Sequence, residues 1–131
     1  MTTRLMAVTL GLLVSTCALA AHHSFSAEYD SNQPVKVTGV VTKVEWTNPH
    51  IWFFVDVKDD QGRVTSWGFS GGPPGVLQRR GISRNAMKIG DVVVVEGFRA
   101  RDGSNNASGG RVTFADGRSV FTASNEDRAP R

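Results

Sequence analysis

Cysteine is almost absent from this chain of 131 residues, which contains Cys17 and no other. An intramolecular disulfide and a zinc site built from several cysteines are therefore excluded, because both need more than one thiol. The residues around Cys17 only loosely resemble a lipoprotein box, since Thr16 stands where a smaller residue is expected. We therefore do not predict a lipid anchor at this position.

Excess charge of one sign and long apolar runs are also scarce. Lys and Arg number 15 and Asp and Glu number 12, and this formal net charge of +3 is too small to predict a nucleic-acid partner. The apolar stretch Leu5–Val14 is shorter than the roughly 20 residues of a membrane-spanning helix, so we predict no transmembrane anchor. With 40% hydrophobic and 21% charged residues, the composition is typical of a single globular domain.

The first 20 residues are typical of a secretory signal peptide. Arg4 precedes the apolar stretch, and Ala20 completes an A-x-A cleavage site. Cleavage after Ala20 would leave Ala21 as the first residue, whereas cleavage one residue later would leave His22. We therefore predict a signal peptide over residues 1–20 and a cysteine-free product that is exported to the bacterial periplasm.

Apolar residues recur at every second position over much of the remaining chain, which predicts β-strands. Three strands, a short helix and two or three further strands follow the order of an OB-type barrel, and barrel closure removes exposed sheet edges. We therefore predict an all-β fold over residues 35–123, a small OB-like barrel of five to six strands with one short helix between strands 3 and 4. An open β-sandwich of the same strands is the alternative. The predicted elements are the strands Val35–Trp46 (with a bend at Gly39), Ile51–Lys58, Arg63–Ser70, Val92–Ala100, Arg111–Ala115 and Arg118–Phe121, and the helix Pro73–Gly81.

Three segments lie outside this alternation. Residues 21–34 form a histidine-containing segment, and Phe25 and Tyr29 give it an apolar face that we expect to dock onto the barrel. Residues 102–110 are polar and rich in glycine, which predicts a loop. Residues 124–131 are charged and contain proline, so we predict a disordered tail.

All three histidines lie in two short motifs, His22–Phe25 (HHSF) and Trp46–His50 (WTNPH). The segments Leu77–Asp91 and Glu96-Gly97 accompany them. With these motifs, the chain resembles an uncharacterised family of small exported bacterial proteins that carry an N-terminal HHSF segment and a WTNPH turn. The resemblance covers nearly the whole chain after the signal peptide. It implies an exported protein and carries over no activity.

A free α-amino group beside imidazoles is a nitrogen-rich ligand set of the kind that binds Cu, Ni or Zn. If Ala21 is the first residue, the amine, two amide nitrogens and the His23 imidazole can bind Cu(II) or Ni(II) in a square plane. If His22 is first, its amine and imidazole chelate together and His50 completes a copper brace. Both sites need a deprotonated amine, whose pKa of about 7.7–8.0 makes this accessible near neutrality. The predicted metal ligands are therefore Ala21, His22, His23 and His50, with copper as the cofactor.

These features predict a small periplasmic copper(II) buffer or carrier, with a metal ion as its partner and another periplasmic protein as a second candidate. Glu45 and Asp56 are candidates to orient the His50 imidazole. The alternative is an OB-type module that binds a protein or small ligand through a surface formed by Trp46 and Trp52, with structural histidines. We predict no catalytic residues, because no nucleophile pattern occurs. An enzyme that carries out copper-dependent redox chemistry is a further alternative.

Overall fold

The structure is a computed structural model that describes residues 25–123. The predicted signal peptide, the candidate ligands Ala21, His22 and His23, and the predicted tail over residues 124–131 lie outside the described residues. A helical turn at residues 25–28 precedes the first strand. The elements after it are β1 (Tyr29–Glu45), β2 (Trp52–Lys58), β3 (Val64–Ser70), a helix (Pro74–Arg79), β4 (Val92–Ala100), β5 (Asn106–Phe114) and β6 (Ser119–Phe121).

The strands form one sheet that closes on itself. Antiparallel pairing joins β3 to β2, β2 to β1, β1 to β4 and β4 to β5, and a short parallel pairing of β5 with β3 completes a ring of five strands. β6 pairs with β5 in antiparallel fashion. The predicted mostly β architecture is confirmed, and the short helix lies between β3 and β4 as expected.

Large apolar side chains fill the interior of the ring. Phe53 and Phe69 stack with their ring centroids 5.3 Å apart, and both are fully buried. Burial of each such side chain stabilises the fold by roughly 1.5–3 kcal/mol. The other fully or almost fully buried members include Val41, Val55, Leu77, Val93, Val95 and Val112. Because these side chains occupy the interior, sites for ligands have to be sought at the rim of the ring and on its outer surface.

β1 is irregular, but not at the predicted position. Its register with β2 shifts between Val41 and Lys43, and after this bulge Val44 and Trp46 pack against the same core. The sequence predicted the irregularity at Gly39. Gly39 is needed for a different reason, because a Cβ at this residue would collide with the backbone of β2. The bulge keeps both halves of a long strand in contact with one core.

Two segments that were predicted to be irregular are strands. β1 begins at Tyr29 and not at Val35, because residues 30–33 are polar and give no alternation although they belong to the strand. β5 begins at Asn106, inside the glycine-rich segment 102–110 that was predicted to be a loop. Glycines carry no side chain that could reveal a buried face, so the pattern fails where the strand is glycine-rich.

The helix between β3 and β4 begins at a proline, and a glycine follows its end. Pro74 occupies the first turn, where its missing N–H leaves no acceptor unsatisfied. Leu77 is fully buried and holds the helix on the core. Gly81 follows with a φ of 80°, a left-handed conformation that ends the helix and favours glycine. Between residues 25 and 123, no helix is long and apolar enough to span a membrane.

Candidate functional site

His50 lies in the connection between β1 and β2, with its side chain exposed. Its Nδ1 atom is 2.9 Å from the carbonyl oxygen of Gly71. A carbonyl oxygen can only accept a hydrogen bond, so Nδ1 carries the proton. In the neutral ring the proton on Nδ1 leaves a lone pair on Nε2. This is the arrangement found at metal-binding histidines, whose second nitrogen commonly donates to a carbonyl group.

The carbonyl group that accepts this hydrogen bond belongs to a segment with several backbone hydrogen bonds. The Gly71 amide donates to the Ile51 carbonyl at 2.8 Å, and the Ile51 amide donates to the Gly72 carbonyl at 3.2 Å. The Gly72 amide donates to the Thr122 carbonyl at 2.7 Å. The carbonyl group that accepts from His50 is therefore held by backbone hydrogen bonds that join the start of β2 to the chain after β3 and after β6.

The segment before β1 is docked on the sheet. Phe25 and Tyr29 are 8% and 7% exposed, and their ring centroids are 5.4 Å apart. Phe25 also meets Phe98 of β4 edge-on, with centroids 6.5 Å apart. Arg101 also holds this segment, because its backbone amide donates a hydrogen bond to the Glu28 carbonyl at 2.8 Å. For the described residues of this segment, the predicted docking through Phe25 and Tyr29 is confirmed.

The docked segment and the His50 turn meet at Ser70-Gly71. The hydroxyl groups of Tyr29 and Ser70 share a hydrogen bond of 2.6 Å, and Gly71, which accepts from His50, follows Ser70 directly. No local pattern in the sequence could have indicated this meeting point, because Tyr29 and Ser70 are 41 residues apart. Tyr29 is six residues after His23 in the sequence, and His23 lies outside the described range.

The two carboxylates proposed to orient His50 have other partners. Glu45 is ion-paired with Lys43, and Asp56 accepts a hydrogen bond from the Ser66 hydroxyl. The interpretation of these two carboxylates as orienting groups was wrong, and the Gly71 carbonyl takes that role. Within residues 25–123, no group of three or more His, Cys, Asp or Glu side chains could hold a metal ion.

The tryptophans on either side of His50 lie in different surroundings. Trp46 is partly buried and packs against the core. Trp52 stacks on Phe54, with centroids 6.4 Å apart, and the Lys43 ammonium lies 5.4 Å from the centre of the Phe54 ring. One indole thus contributes to the interior and the other to an aromatic pair along β2.

Sequence reasoning missed a groove on the sheet, with a volume of about 710 Å³. It runs over β1, β4, β5 and β6, and no local motif could have indicated it, because each of these four strands contributes only a few residues. Its apolar and charged members include Val35, Lys36, Glu96, Phe98, Arg111 and Phe121.

Comparison with known proteins gave no match among curated proteins and none among solved structures. The model of a family of unknown function, DUF6152, matches residues 10–110, which is most of the chain. The export of such proteins and their two histidine motifs stay predictions. The chain therefore belongs to the family of unknown function DUF6152.

Proposed function

We propose that this chain is a small periplasmic protein that binds copper(II), as a buffer or carrier, either at its first three residues through the amine and His23 or in a brace formed by the amine, His22 and His50. The observation that carries the proposal is the hydrogen bond from His50 Nδ1 to the Gly71 carbonyl. It orients an exposed imidazole and leaves Nε2 free to bind a metal ion.

The docked segment before β1 supports the participation of the other histidines. His23 is two residues before Phe25, whose ring packs on Tyr29, and the Tyr29 hydroxyl bonds to the residue before Gly71. An extended chain spans at most about 3.3–3.6 Å per residue, so two residues let His23 reach at most about 7 Å from Phe25. Ala21 or His22 would supply the amine, depending on where the signal peptide is cleaved.

The ring of strands supports an OB-like barrel as the scaffold. It has five strands, with a helix between β3 and β4, and His50 lies in the loop from β1 to β2. In OB folds this loop forms part of the customary binding edge. The proposed metal site would thus use the part of the scaffold that other barrels of this class use for ligands.

Copper(II) is the metal that suits these donors best. Amine and imidazole nitrogens favour copper, and copper is at the top of the affinity order of the divalent first-row metals. We expect binding to weaken as the pH falls, because protons compete for the amine and for the imidazole nitrogens. Zinc(II) should bind more weakly at the same pH.

Copper titrations of the processed protein without a tag test the proposal, together with single alanine variants of the three histidines. In a site formed by the first three residues, His23→Ala abolishes binding and His50→Ala changes little. In a brace, His22→Ala and His50→Ala are the damaging changes. An additional residue before the N-terminus impairs both sites, because it moves the amine. Unchanged affinity in all three histidine variants would refute the proposal.

His50→Asn is the matched control for the structural role of His50. An asparagine amide can donate to the Gly71 carbonyl as Nδ1 does, but it offers no nitrogen equivalent to Nε2. If His50 is a copper ligand in a brace, His50→Asn retains the thermal stability of the protein and loses copper affinity. If His50 is only structural, His50→Asn leaves copper affinity unchanged, and His50→Ala lowers stability.

A further inference from the structure

The groove over β1, β4, β5 and β6 has the size of a site for a small molecule. Its volume of about 710 Å³ falls within the roughly 300–1,000 Å³ of typical ligand pockets. The described residues that line it do not include His50 or Gly71. Its lining combines an apolar wall with three charged side chains.

Two phenylalanines belong to the apolar lining. Phe98 lies on β4, and Phe121 lies on β6, where it is 37% exposed although it is large and hydrophobic. Pro34, Val35 and Ala123 extend the apolar lining at its two sides. Removing such a surface from water is favourable in proportion to its area, so an apolar molecule would be stabilised here.

The charges over this surface do not balance. Glu96 lies between two cations, since it is opposite Lys36 in the β1–β4 register and opposite Arg111 in the β4–β5 register. Glu96 forms an ion pair with Lys36 at 3.9 Å. Arg111 is exposed, and among the described residues its guanidinium has neither an ion pair nor a hydrogen bond. One positive charge is therefore left without a partner at the edge of an apolar groove.

Arg111 and Phe121 are directly opposite each other in the β5–β6 register. Cross-strand partners point to the same face of a sheet, so the unpaired guanidinium and the exposed ring are adjacent. We propose that the groove binds a small apolar molecule with one carboxylate, whose apolar part lies on Phe98 and Phe121 and whose carboxylate pairs with Arg111. The planar guanidinium suits this role, because it can donate two parallel hydrogen bonds to a carboxylate.

A fluorescent fatty acid, dansylated undecanoic acid, tests this proposal in the purified, metal-free protein. We expect its fluorescence to rise on binding and decanoate to displace it. Decanol has the same apolar chain without the charge, and we expect it to compete about tenfold less well, since a hydrogen-bonded ion pair is lost. Decyltrimethylammonium should not compete, because its charge has the wrong sign.

Two variants separate the parts of the site. Arg111→Gln should weaken decanoate about tenfold and leave decanol unchanged, whereas Phe121→Ala should weaken both. Arg63→Gln is the matched control, because it removes the same charge from an exposed arginine that pairs with Asp59 in the turn between β2 and β3. Circular dichroism confirms that each variant is folded. No binding of the probe, equal competition by decanoate and decanol, or equal effects of Arg111→Gln and Arg63→Gln would overturn the proposal.

Discussion

Replacing Phe25 by alanine tests how strongly the segment before β1 is held on the sheet. The ring is 8% exposed and contacts the rings of Tyr29 and Phe98. Burial of a phenylalanine contributes roughly 1.5–3 kcal/mol, and favourable ring pairs add about 0.5–1.5 kcal/mol. A segment at the edge of the fold can rearrange after the substitution. We therefore expect the free energy of unfolding to fall by about 2–3 kcal/mol, below the roughly 3–5 kcal/mol of a phenylalanine in a closed core.

Denaturant unfolding measures the global effect, and hydrogen exchange of the Arg101 amide measures the local one, because this amide donates to the Glu28 carbonyl. The Phe25→Ala variant should lose protection at Arg101 before the core opens. Tyr29→Phe removes only the hydroxyl that bonds to Ser70, and it should cost about 1 kcal/mol. A double-mutant cycle with Ser70→Ala should give a coupling of similar size. Unchanged protection at Arg101 in Phe25→Ala, or no coupling in the cycle, would show that the reasoning is wrong.

Three further predictions concern the framework. Gly97→Ala should lower the free energy of unfolding by about 1–3 kcal/mol, because a Cβ would overlap the Ser108 carbonyl oxygen. A Cβ at Gly75 would be 3.6 Å from the nearest atom, on the Arg79 side chain. Gly75→Ala should therefore be neutral or raise the free energy of unfolding by up to about 1 kcal/mol. Denaturant unfolding measures both glycine variants. The pKa of Asp59 is lowered mainly by a hydrogen bond from the Arg63 side chain and, to a smaller extent, by hydrogen bonds from backbone amides. Arg63→Gln should therefore raise the pKa of Asp59, which an NMR titration measures. Because the pKa is lower in the folded state, the associated stability is complete above the unfolded pKa and is lost as the pH falls through the folded one. A pKa of Asp59 that does not move in Arg63→Gln would contradict this account.

Alternation in the sequence located the strands wherever one face meets the core and the other meets water. β4 was predicted at Val92–Ala100 and is found there, because its inward valines alternate with partly exposed residues. The start of β5 was missed, since Ala107–Gly110 are small residues whose strand pairing depends on close contact with neighbouring strands. The alternation of apolar residues could not locate the bulge after Val41 either, because the bulge depends on the register of β1 with β2.

The candidate site was only partly accessible from sequence. Motif content identified His50, but the carbonyl that orients it belongs to Gly71, 21 residues later, and no spacing rule connects the two. The docking of Phe25 and Tyr29 was predictable, because burial of two aromatic side chains in an otherwise polar segment is favourable. The unpaired charge of Arg111 could not be predicted from the sequence, because it follows from the register of three strands.

The closure of the ring has a consequence for the order in which the protein folds. β3 and β5 are joined by three register pairs between residues 68–70 and 106–108, about 40 positions apart in the chain. Contacts of such separation require a large loop to close first, so we expect them to form late in folding. The Gly72 amide also needs the Thr122 carbonyl, which is more distant still. The β1–β2 hairpin, which contains His50, can therefore form early. The hydrogen bonds that hold the Gly71 carbonyl beside His50 are complete only after the residues that follow β6 have joined the sheet.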